Sequence, residues 1–188
     1  RVLFRSGHAA EFLDLLYVAP GLGGEVWSRL GATTVVMPGG EIFTALQTGA
    51  IDATEWIGPY NDLALGLHKA SKYYYTPGWQ EPNVTFELDV NLKAWETLPD
   101  DLKAIVRAAA RDVNGDMLDD YNAKNMEAME QLKADGVEVR RLPDEVLARL
   151  KEVAAEVVEA SAAADPAAAK VWEHQKAYLQ RLYAYAES

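Results

Sequence analysis

The sequence contains no cysteine, which excludes disulfides and thiolate metal sites and leaves the redox compartment open. It has no apolar run of the roughly 20 residues that a membrane-spanning helix requires. Residues 12–19 are the most apolar stretch near the start, but Glu11 and Asp14 break it up, and it does not read as a signal peptide. Basic residues are scarce. Eighteen Lys and Arg stand against 29 Asp and Glu, a formal net charge of −11, and this argues against a nucleic-acid partner, whose phosphates are held by clustered cations. An anionic small ligand would need a local cation. The three histidines, His8, His68 and His174, lie far apart and form neither a metal cluster nor a triad. No Ser or Cys sits in a nucleophile elbow.

What is present is enough for a core. At 188 residues and 49% hydrophobic content, the chain suits one domain or one lobe of a larger protein. Gly21-Leu22-Gly23-Gly24 opens a short helix over residues 25–30, with Val26 and Leu30 on one face. Residues 33–37 are β-branched and apolar, as in a buried parallel strand. Pro38-Gly39-Gly40 ends that strand, and residues 41–48 read as a helix with Ile42, Phe43 and Leu46 inward. Residues 51–54 form the next strand. This βαβ unit puts Glu55 and Trp56 at the carboxyl end of a strand, the edge where open α/β sheets bind ligands.

Further on, residues 61–69 suit a helix and residues 73–75 a short strand. Residues 84–90 alternate with a period of two, which predicts Val84, Phe86, Leu88 and Val90 inward. A helix is expected over residues 100–134, about 50 Å long at 1.5 Å per residue, with Gly136 as its cap. That length exceeds one small lobe. A strand over 137–142, a helix over 144–164 and a last helix carrying Val171, Trp172, Tyr178, Leu179, Leu182 and Tyr183 complete the chain. Gly21 to Val26 begins like a dinucleotide fingerprint, but Val26 stands where the third Gly belongs. Residues 112–116 hint at a calcium loop, but the pattern around them is helical.

The most informative words are Gly49-Ala50-Ile51-Asp52-Ala53-Thr54-Glu55-Trp56-Ile57-Gly58-Pro59-Tyr60 and Tyr73-Tyr74-Tyr75-Thr76-Pro77-Gly78-Trp79-Gln80-Glu81. They set carboxylates beside tryptophans in loop contexts, a composition suited to a small pocket with a few convergent polar groups. On spacing alone, Glu55 serves equally as a helix cap or a solvated carboxylate. These words resemble the substrate-binding proteins of TRAP transporters, and among them the branch that binds 2-oxo acids such as pyruvate. The resemblance runs from about Pro20 to the C-terminal end. Residues 1–6 instead resemble a translated sequencing adapter and are set aside from fold reasoning.

The resemblance implies an α/β fold: a periplasmic-binding-protein-like lobe with a mixed sheet, a long inter-lobe helix and C-terminal helices, its N-terminal lobe missing. Residues 1–19 are then a non-matching or artefactual leader, 20–98 the ligand-binding lobe, and 99–188 the helices and short strand that pack on and link the lobes. It implies a cation, sodium or calcium, held by the Glu55 and Glu81 carboxylates and the Trp56 carbonyl, and bridging to a 2-oxo monocarboxylate. Trp56, Tyr60, Trp79 and Gln80 are the implied substrate contacts. The family's carboxylate-clamping arginine falls at Val18 in this sequence, a departure at its most diagnostic residue. The implied function is periplasmic binding of a small organic acid for delivery to a TRAP membrane permease, without catalysis, with a homodimer through the C-terminal helices as a further expectation. Two other readings are a metal-assisted enzyme using Glu55 and Glu81 on a small oxo or hydroxy acid, and a helical interaction module built on residues 98–188.

Overall fold

In a computed structural model, residues 2–5, 16–81 and 87–186 are described. Their strands form one mixed sheet. In chain order these are β1 (Val2–Phe4), β2 (Leu16–Val18), β3 (Thr33–Val35), β4 (Ala53–Glu55), β5 (Tyr73–Thr76) and β6 (Glu138–Arg141), and they lie side by side as β3-β2-β4-β1-β5-β6. All neighbours run parallel except β1, which is antiparallel to both β4 and β5. The carboxyl ends of β2, β4 and β5 therefore share one edge of the sheet.

Side-chain alternation along the strands divides the core into two layers. Val2, Phe4, Tyr17, Ala53 and Tyr75 face one way. There they meet Val26 and Trp27 of α1 (Gly21–Arg29) and Leu150, Val153 and Val157 of α6 (Asp144–Ala163). Leu3, Val18 and Tyr74 face the other way, toward Ile42 and Leu46 of α2 (Gly39–Thr48), Leu67 of a 3₁₀ turn (Leu67–Lys69), and Leu132 near the end of α5 (Asp100–Ala134). The result is a sheet covered by helices on both faces, as βαβ crossovers dictate. Two short helices, α3 (Pro59–Ala64) and α4 (Leu92–Thr97), precede α5, and α7 (Pro166–Ala186) follows α6.

Several expectations change against this structure. Val2, Leu3 and Phe4, set aside as a leader, are 0%, 0% and 1% exposed and hold the slot between β4 and β5. The strand over 51–54 is shifted to Ala53–Glu55, and the helix over 61–69 is α3 followed by the 3₁₀ turn. Val84 and Phe86 lie outside the described residues; residues 87–90 form no regular element, and Leu88 and Val90 are exposed rather than inward. A separate helical module over residues 98–188 is also corrected, because β6 pairs with β5 and α6 packs on α1's side of the sheet.

The long helix is as expected, residues 100–134. It ends in a Schellman motif, in which the Gly136 amide donates to the Lys133 carbonyl and the Val137 amide to the Leu132 carbonyl. Gly136 takes the left-handed φ of 86° that this requires. Only the C-terminal part of α5 contributes buried residues, Ala128 and Leu132, while Leu102, Ile105, Val113 and Leu118 are exposed. On α7, no described residue is buried.

Candidate functional site

A cleft of about 340 Å³ opens at the shared carboxyl edge, lined by Ala19, Pro20, Gly21, Leu22, Gly23, Trp27, Glu55, Gln80 and Glu81. Its walls follow from the topology. β2 runs into the first turn of α1, and the approach is so close that a Cβ on Gly24 would lie 2.3 Å from the Ala19 carbonyl oxygen. This close approach is the physical reason for glycine at position 24, while Gly21 takes a left-handed φ of 60°. β4 delivers Glu55, and the segment after β5 brings Gln80 and Glu81 across the end of the intervening β1.

The polar chemistry of the cleft is acidic. Gln80 Nε2 donates to Glu55 Oε2 at 3.3 Å, while Gln80 Oε1 is buried with no hydrogen-bond partner among the described residues. Burial pushes the Glu55 carboxyl above its ordinary value, and the Glu81 charge pushes the same way against the Gln80 hydrogen bond. Tyr17, behind the cleft, is raised by burial and then by the charge of Glu55. No Lys or Arg is among the described residues lining the cleft. Two carboxylates and an unpartnered amide oxygen form a donor set suited to a hard cation, which would relieve the cost of burying Glu55. Among the described residues no three Asp, Glu or His side chains come together as a metal site, so these three side chains make a partial shell.

The remaining residues read as site candidates lie elsewhere. Trp79 sits behind the cleft wall, edge-on to Trp27 with ring centroids 5.6 Å apart. Trp56 packs toward the α2 layer. Tyr60 turns to α5, where its amide donates to Asn125 Oδ1 at 3.1 Å and its ring meets Tyr121 edge-on. Val18 is buried on the sheet face opposite Trp27, so position 18 supplies the cleft with no cation. Trp27, Tyr17 and the rim at Gly21 to Gly23 escaped the sequence reading. Trp27 lies next to Val26 on the predicted helix, and nothing in helical spacing distinguishes a core tryptophan from a cleft wall.

The indole of Trp56 lies over the start of α2, where a Cβ on Gly39 would be 2.6 Å from Trp56 Cη2. Gly39→Ala is therefore expected to displace the indole and destabilise the chain by about 1–3 kcal/mol, as overpacking does. A thermal melt followed by tryptophan fluorescence checks this, and an unchanged Tm would mean that Trp56 relocates freely.

Comparison with known proteins accords with this arrangement. The chain is 43% identical over 166 residues to a monocarboxylate 2-oxoacid-binding periplasmic protein of Nostoc sp. (strain PCC 7120), covering 88% of this chain and 46% of that protein. It superposes with a TM-score of 0.89 at 34% identity on a TRAP periplasmic solute-binding protein of Colwellia psychrerythraea solved with calcium and pyruvate, covering 98% of this chain and 57% of that one. A counterpart from Pseudoalteromonas atlantica, solved with sodium and pyruvate, gives 0.83 at 33% identity with the same coverage. The chain thus spans about half the length of these relatives. These are binding proteins, which sets the metal-assisted enzyme aside. Residues 18–165 match the profile of bacterial extracellular solute-binding protein family 7, DctP, and the chain belongs to this family of periplasmic solute-binding proteins.

Proposed function

We propose that this chain supplies one wall of a receptor that binds a 2-oxo monocarboxylate of pyruvate size through a calcium or sodium ion, and that the receptor delivers its ligand to a TRAP membrane permease. The observation that carries this reading is the half-buried Glu55 carboxylate, in one cleft with Glu81 and the unpartnered Gln80 Oε1, a cleft whose described lining has no cationic side chain. A hard cation bound there would supply positive charge for the carboxylate and 2-oxo oxygens of the ligand. Glu55 and Glu81 would hold it, with the Trp56 carbonyl as a further donor.

The chain's own residues contribute to selectivity from this wall. Trp27, Leu22 and Ala19 give the cleft an apolar side, and Gln80 narrows it by spanning to Glu55. Trp79 and Trp56 act from behind, as rigid supports. Binding of a small acid between two walls favours the closed arrangement in such receptors, because the ligand then contacts both walls at once. The relatives bound to pyruvate support this ligand class.

The test is calorimetric titration of the protein with pyruvate, with and without calcium or sodium. Heat of binding that appears only when cation and pyruvate are both present is the expected result. Binding of pyruvate at the same affinity in a sodium-free buffer that also contains a calcium chelator would overturn the cation-bridged reading. A homodimer through α7 belongs to the same proposal, since Val171, Tyr178, Leu182 and Tyr183 are exposed on that helix. Sedimentation velocity decides it.

A further inference from the structure

Between Glu55 and α3 the chain passes through Trp56-Ile57-Gly58, and of these Trp56 packs on the core, whereas the two residues after it have little apolar contact of their own. Ile57 is 45% exposed and Gly58 has no side chain. Their backbone is held by Asp62, in the first turn of α3. Asp62 Oδ1 accepts from the amides of both Ile57 and Gly58, each at 3.3 Å. Its other oxygen, Oδ2, accepts from the Tyr74 hydroxyl at 2.5 Å. Asp62 is 1% exposed and Tyr74 is 0% exposed, so no bulk water competes for these bonds. An aspartate early in a helix ordinarily serves as a solvated partner of the helix dipole; complete burial with three donors points to another task.

The geometry points to Asp62 as the positioning residue of the cleft: it clamps the loop after Glu55 and, through Tyr74, ties it to β5, the strand that leads to Gln80 and Glu81. The two sources of cleft oxygens, one from β4 and one beyond β5, are thereby coupled through a single buried carboxylate. Asp62 does not line the cleft, and it acts through the placement of Glu55 and the Trp56 carbonyl. The inference rests on the reading of Glu55 as a cation ligand, but the clamp itself is testable without it.

Bonding chemistry separates clamp from charge. In Asp62→Asn the side-chain oxygen can still accept from the two amides, and the new NH₂ can donate to the Tyr74 hydroxyl, which also accepts. Asp62→Ala loses all three bonds. Amide hydrogen exchange at Ile57 and Gly58, measured by NMR, is expected to be slow in the wild type and in Asp62→Asn, and about tenfold or more faster in Asp62→Ala, the factor expected when hydrogen bonds to a charged group no longer oppose local opening. Terbium(III), a hard trivalent probe whose emission is sensitised by nearby tryptophan, reads the cleft in the same samples. Its Kd is expected to rise about tenfold or more in Asp62→Ala and to change by no more than about threefold in Asp62→Asn.

Equal weakening of terbium binding in the two variants would mean that Asp62 acts by charge alone, and would overturn the proposal. So would unchanged exchange at Ile57 and Gly58 in Asp62→Ala. If Asp62→Ala does not fold, Tyr74→Phe takes its place: faster exchange at the two amides supports the tie to β5, and unchanged exchange overturns it. If terbium does not bind the wild-type protein, the cation reading of Glu55 fails, and the exchange rates alone then support or overturn the clamp.

Discussion

Leu3→Asp is expected to leave the chain without a cooperative melting transition at 25 °C. Leu3 is fully buried and stands in register between Thr54 and Tyr74, on the face of the sheet covered by α2 and the end of α5. The change removes about 2–3 kcal/mol of transfer free energy and puts a carboxylate into a layer of apolar side chains that includes no cationic group among its described members. An unpaired buried charge costs several kcal/mol more. Against a total stability of about 5–15 kcal/mol for a domain, the sum reaches the whole margin. Far-UV circular dichroism and thermal unfolding check this. A variant that melts like the wild type would mean that β1 is dispensable.

The consequence for the cleft is geometric. β1 separates β4 from β5, and each strand spacing is about 4.8 Å. Val2 pairs with Glu55 on one side and Tyr75 on the other, at the end of the sheet where the cleft opens. Were β4 and β5 to close on each other directly, Gln80 and Glu81 would move about one strand spacing toward Glu55, and the cleft would be lost. The slot held by β1 is thus a determinant of cleft width as well as of stability.

How far these features could be read from sequence depends on how local their signals are. The α5 boundaries were legible because Pro99 and Gly136 punctuate both ends. The βαβ unit around α2 was legible from periodicity, and with it the place of Glu55 at a strand end. β1 was not, because three apolar residues without flanking pattern carry no strand signal, and its two partners lie some 50 and 70 positions away. The alternation over residues 84–90 misled at Leu88 and Val90, since period two describes a possible strand and not the neighbour it needs. The tryptophans show the same limit. An aromatic beside a carboxylate reads as pocket lining, and spacing carries no sign of the contacts of Trp79 with Trp27 and of Trp56 with Gly39. Asp62 was invisible as a clamp because its donors include a hydroxyl from β5, outside its own helix.

Glu55→Gln is expected to raise the Kd for calcium or terbium by about 100-fold or more, because ligand charge sets the affinity of oxygen-donor sites over several orders of magnitude. The substitution keeps the size of the side chain, and its amide can still pair with Gln80, which has both a donor and an acceptor to offer. Shape and packing should therefore survive. The sign of the stability change distinguishes this from general damage. Burial holds the Glu55 carboxyl above its ordinary value, so the ionised group opposes folding at neutral pH in the absence of a cation. A neutral glutamine removes that opposition, and the cation-free variant should melt at or above the wild-type temperature. Glu81→Gln should weaken binding less, because Glu81 is exposed and solvent screens its charge. Lost cation binding with an undiminished cation-free Tm is the signature of a metal ligand. Lost binding with a lowered Tm would mark Glu55 as a structural residue, and retained binding would move the cation site elsewhere in the protein.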